Sequence, residues 1–135
     1  MNTQINRRAR ILIAGLDVYS VAELQDVLKR QDRDVFTVPF QSARQCLAMA
    51  ERVGADVVFC PADNRIYLPL LEAIRERHTT LPVVVVSRHP EVPEWLDAIE
   101  QGATDYCAAP FEPGHVNWIL TTALFQGEQY MYAAS

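Results

Sequence analysis

Apolar positions along the chain follow two alternating rhythms. Short unbroken runs, among them Ile11-Leu12-Ile13-Ala14, Val57-Val58-Phe59-Cys60 and Val83-Val84-Val85-Val86, are separated by stretches where apolar residues recur every three or four places. The runs read as strands buried on both faces of a parallel sheet, because a half-exposed strand alternates apolar with polar. The spaced stretches read as helices with one apolar stripe.

The first strand, Ile11 to Ala14, ends at Gly15. Ser20 and Glu23 form a capping-box pattern that opens a helix, with Val21, Leu24, Val27 and Leu28 as its stripe. Asp34 to Phe40 is β-rich, and Pro39 marks an edge position or a strand end. Ser42 caps a second helix with Cys46, Leu47, Met49, Ala50 and Val53 inward, stopped by Gly54. The central strand closes on Pro61, followed by a polar loop from Ala62 to Arg65 and a third helix from about Tyr67 to Arg77. Leu70, Leu71 and Ile74 are its expected buried face.

Pro82 introduces the strand Val83 to Ser87, and Pro93 fits the first turn of a helix through Gln101, ended by Gly102. Val92, Leu96 and Ile99 are expected to point inward there, with Trp95 at the stripe's edge. Asp105 to Ala108 is a last strand, and a last helix runs from about Gly114 to Phe125 on Val116, Ile119, Leu120 and Ala123. Strands alternating with helices imply one doubly wound α/β domain with right-handed crossovers and helices on both faces. Residues 1–126 form that domain; residues 127–135 read as a short, loosely ordered tail, with Tyr130, Met131 and Tyr132 available to dock on the body.

Composition narrows the function classes. A net charge of −5 argues against a nucleic-acid surface, and the one basic cluster, Arg7-Arg8-Ala9-Arg10, reads as a solvated end beside a strand. Cys46, Cys60 and Cys107 lack CxxC spacing and read as buried hydrophobes in a reducing cytosol. No run has transmembrane length, so the expectation is a cytoplasmic protein bound to neither membrane nor nucleic acid. His78 and His115 read as surface residues at helix ends.

In order and spacing the segments resemble the receiver domain of response regulators in two-component systems, the CheY-like fold. The marks are Ile11-Leu12-Ile13-Ala14, Ala55-Asp56-Val57-Val58, Leu81-Pro82-Val83-Val84-Val85-Val86-Ser87, Gly102-Ala103-Thr104-Asp105-Tyr106 and Ala109-Pro110-Phe111. The resemblance covers about residues 8–125 and implies a five-stranded parallel sheet, CheY- or flavodoxin-like, in strand order 2-1-3-4-5. It also implies phosphoryl transfer from a histidine kinase to an aspartate at the end of the third strand. An acidic pair after the first strand would hold Mg²⁺, a lysine near the fifth strand would contact the phosphoryl group, and a Ser or Thr would hydrogen-bond it.

Mapped onto this chain, the aspartate position falls on Pro61, the acidic pair on Gly15 and Leu16, and the lysine on Ala109. Asp17 stands one step beyond the pair. Of the set only the hydroxyl remains, at Ser87, with Tyr106 at the family's switch aromatic. Tyr106 reads as a half-buried core aromatic. The expectation is a degenerate receiver, a pseudo-receiver: no enzyme, no cofactor and no metal, working by protein contact. Pro61, Leu16 and Ala109 are expected to wall an apolar pocket where the family keeps a charged one.

Trp95, Trp118 and Phe125 lie at the margins of the last two helices and suggest a surface for a protein partner or homodimer through the last two β/α units. A histidine kinase or an output protein is the partner class implied. Two rival readings are a receiver phosphorylated at Asp63 or Asp17, and a flavodoxin-like protein that binds a small ligand or catalyses a reaction. Against the latter, Gly15-Leu16-Asp17-Val18-Tyr19-Ser20 is not a phosphate-cradling loop, and neither GxGxxG nor a Walker sequence occurs. Ser87, His89 and Asp105 could be drawn as a triad, but nothing in the sequence places them together.

Overall fold

The computed structural model describes residues 8–78, 80–88 and 92–134; of residues 92–95 and 126–134 it describes the backbone alone. The apolar runs become strands β1 (Arg10–Ala14), β2 (Asp34–Val38), β3 (Val57–Pro61), β4 (Val83–Ser87) and β5 (Asp105–Ala108). All neighbours pair in parallel, in the expected order β2-β1-β3-β4-β5. The helices are α1 (Val18–Arg30), α2 (Ala43–Val53), α3 (Asn64–Arg77), α4 (Val92–Glu100) and α5 (Pro113–Ala134).

Successive strand residues point to opposite faces, so one apolar run feeds two cores. Leu12, Val58, Cys60, Val83, Val85 and Tyr106 pack with Cys46, Leu47, Leu70, Ile74 and Ala98. Ile11, Ile13, Phe59, Val84, Val86 and Cys107 pack with Leu24, Leu28, Ile119 and Leu120 on the other face. Edge strand β2 has weaker burial, with Phe36 36% exposed, and it ends at Val38 just before Pro39. Gly54 terminates α2 at φ 65, as the helix pattern predicts.

Four helix features differ from the sequence pattern. Asp17, not Ser20, caps α1: its side chain accepts the Ser20 amide, and Ser20 lies buried in the first turn. Helix α3 starts at Asn64, capped by Asp63, so Asn64 and Arg65 of the expected polar loop belong to its first turn. Among the described side chains of α4 the buried one is Ala98, while Leu96 and Ile99, expected inward, are 49% and 38% exposed; the Val92 side chain lies outside the described residues. Ala98 joins the core cluster that also holds Tyr106 of β5. Helix α5 continues past Phe125 to Ala134, in place of the expected loosely ordered tail. At 22 residues it spans about 33 Å, roughly twice the ~17 Å of a five-residue strand.

Candidate functional site

Open parallel sheets place their functional crevice beyond the carboxyl ends of the strands. Here β3 ends on Pro61, which pairs with Val86 of β4, and the ladder continues past it through the Ala62 amide to the Val86 carbonyl (2.9 Å). Gly15, at the end of β1, holds φ +75 and donates its amide to the Val38 carbonyl at 2.9 Å. A Cβ there would meet Phe40 Cβ at 2.9 Å and Pro61 Cδ at 3.7 Å. Only a glycine leaves room for this contact at that backbone angle. The mouth between β1 and β3 is therefore packed by Phe40, Gly15 and Pro61. Phe40 was not a residue that its own local pattern marked.

Leu16 and Ala109 do not join that contact set. Both are partly buried against the core on the α1/α5 side, whereas Phe40 packs on the opposite core. The single apolar pocket expected from Pro61, Leu16 and Ala109 is thus two packings, one on each face of the sheet. At neither does a carboxylate or lysine of the chemical set appear.

The acids nearest the mouth are committed to helix ends. The Asp17 carboxylate accepts from the Ser20 amide (3.0 Å) and the Ser20 hydroxyl (2.7 Å), and that hydroxyl bond above all holds its pKa below the ordinary value. Asp63 accepts from the Arg65 amide (3.0 Å) and takes the Arg65 guanidinium on both oxygens, at 3.1 and 2.9 Å. Its pKa too is lowered, chiefly by Arg65.

Arg88, directly after β4, reaches across to α1. It donates to the Ser20 hydroxyl (3.2 Å) and pairs with Glu23 (3.2 Å). The cation at this rim comes from the β4 side and is already matched to an acid. The fold's usual Mg²⁺ does not fit the donors present: Gly15, Leu16 and Pro61 offer no side-chain oxygen, and Asp17 is engaged as a cap. Among the described residues no group of three His, Cys, Asp or Glu lies together.

Ser87 pairs with Ala108 in register, and its carbonyl accepts the Ala109 amide at 2.9 Å. Tyr106 is more buried than expected, 8% exposed in the core, with its amide bonded to Asp105 at 2.7 Å. The triad geometry does not assemble. Asp105 pairs with Val84, at the opposite end of β4 from Ser87, and His89 lies outside the described residues. Burial pushes the Cys60 and Cys107 thiols up to about 12, with Cys46 adding to the first and Asp105 to the second.

Of the surface aromatics, Trp118 and Phe125 stand 61% and 57% exposed on α5, and the Trp95 side chain lies outside the described residues. Between α3 and α4 an open cleft is lined by Ala62, Asp63, Asn64, Arg65, Tyr67 and Asp97. The Tyr67 hydroxyl donates to the Asp97 carboxylate across it.

No protein-family model matches the chain. It is 27% identical over 90% of its length to the phosphoglycerate transport system transcriptional regulatory protein PgtA of Salmonella typhimurium, of which it spans 29%. The receiver domain of NtrX from Brucella abortus superposes with a TM-score of 0.70 at 27% identity, covering 84% of this chain and 97% of that one. A longer NtrX chain from Brucella abortus gives a TM-score of 0.80 at 23% identity over 95% of this chain and 29% of that one. The chain thus spans under a third of the longer proteins that it matches. It has the CheY-like receiver fold, with five parallel strands in the order β2-β1-β3-β4-β5. No helix among the described residues is long and apolar enough to cross a membrane.

Proposed function

We propose that this chain is a pseudo-receiver: a receiver-fold module of phosphorelay signalling that acts by protein contact, independently of an aspartyl phosphate. The observation that carries the reading is Phe40 packed against Gly15 at the mouth where β3 ends on Pro61. A phosphoacceptor needs a carboxylate there, and its chemistry needs Mg²⁺ to offset charge developing on the phosphoryl oxygens. Burying carboxylates side by side is costly unless a cation offsets them. An apolar mouth avoids that cost and needs no ion. Neither rival acid is favoured, since Asp17 and Asp63 both already cap helices.

The module works without catalysis, cofactor or metal, in the cytoplasm, and takes a protein as partner in preference to nucleic acid or membrane. A histidine kinase, an output protein or a second copy fits, meeting the chain at the exposed aromatics of α5. The test is a backbone amide NMR spectrum of the chain before and after adding Mg²⁺ with acetyl phosphate. The expected result is an unchanged spectrum. Shifts concentrated at residues 14–20, 60–65 and 86–88 would show a responsive site and sink the proposal.

A further inference from the structure

Among the described side chains of α4, Ala98 alone is buried; Leu96, Asp97, Ile99 and Glu100 face solvent. A methyl group gives a helix little apolar anchorage. The polar contact that crosses to α4 comes from α3. Tyr67 is 2% exposed, one of the largest fully buried side chains, and a buried phenol places its hydroxyl where a partner can meet it. That partner is the Asp97 carboxylate on α4. A bond to an ionised acceptor is about twice as strong as a neutral one. Tyr67 and Asp97 both line the open cleft beside Ala62 to Arg65, and their bond is part-buried. Arg65, the cation in the same cleft, is taken by Asp63.

We propose that the Tyr67–Asp97 hydrogen bond is a latch that sets the position of α4 against α3, making α4 a releasable element of the fold. With the latch closed, α4 presents Leu96 and Ile99 to solvent in one fixed arrangement. With it open, Ala98 is the one buried anchor among the described side chains of α4, beside backbone bonds after the helix such as Ala103 amide to Ala98 carbonyl at 3.0 Å. The device does not depend on how the β3 end works, because neither residue belongs to the Phe40–Gly15–Pro61 contact.

Amide hydrogen exchange on the full chain tests it, using Tyr67→Phe, Asp97→Ala and the double variant. Tyr67→Phe keeps the buried ring, and Asp97→Ala changes only an exposed residue, so both should fold. The expected result is α4 amides exchanging about tenfold faster in each single variant, with β1 and β3 amides unchanged. The double variant should be no faster than either single, since both remove one bond. Unchanged α4 exchange, additive effects in the double variant, or acceleration spread into β1 and β3 would each overturn the latch.

Discussion

A Cβ added at Gly15 would lie 2.9 Å from Phe40 Cβ on a backbone held at φ +75. Gly15→Ala is therefore expected to cost about 1–3 kcal/mol, read as a lower urea midpoint. In a Phe40→Ala background the cost should fall, because the clash goes and only the backbone penalty stays. Equal costs in both backgrounds would contradict the packed mouth. At Asp17, the Ser20 hydroxyl holds the folded carboxyl below its ordinary 3.8. As pH falls the unfolded chain takes up that proton first, so the cap's contribution is full above 3.8 and is lost through the lower folded value. Asp17→Asn should flatten that part of the acid limb of stability against pH; an unaltered limb would argue against the cap. With their pKa values pushed to about 12 and full burial, Cys60 and Cys107 should resist thiol reagents at mildly alkaline pH until the chain unfolds. Labelling faster than global unfolding would contradict this. Pro61, Gly15 and Ala109 were legible because strand patterns fix the register. Phe40 and Arg88 were not: their roles come from residues far along the chain, Ser20 being 68 places from Arg88.

The strands read almost directly from the sequence, since buried parallel strands are apolar runs and four of the five close on glycine, proline or a polar residue, at Gly15, Pro39, Pro61 and Ser87. Helix ends read less well, because neighbouring residues compete to cap. Ser20 with Glu23 matches a capping box, yet Asp17 places its carboxylate on the Ser20 amide and wins the position. Asp63 does the same with the Arg65 amide, four residues before Tyr67, where the apolar pattern starts α3. For α4 the apolar stripe misled, since periodicity alone does not say how much sheet lies beneath a helix. The extension of α5 was hidden by Gly127, a stop signal in the sequence that the helix passes through. On that helix Trp118 is expected to serve the partner surface. Trp118→Arg should weaken self-association or partner binding in sedimentation without altering thermal stability, given its 61% exposure. A wild-type chain that stays monomeric and binds nothing through α5 would remove the interface.

For the whole molecule, the five-stranded order and the likeness to NtrX agree on a receiver fold. What differs from the family's expected chemistry is concentrated at one end of the sheet, where an aromatic and a glycine close the mouth and an arginine ties β4 to α1. A net charge of −5 suits the proposed contact with another protein better than contact with nucleic acid. The central claim is that this end of the sheet has turned from phosphoryl chemistry to packing. Intact mass spectrometry after incubation with Mg²⁺ and acetyl phosphate tests it most directly. The account predicts a mass identical to that of the untreated chain; a stoichiometric gain of one phosphoryl group, lost on mild alkaline treatment as an acyl phosphate is, would contradict it.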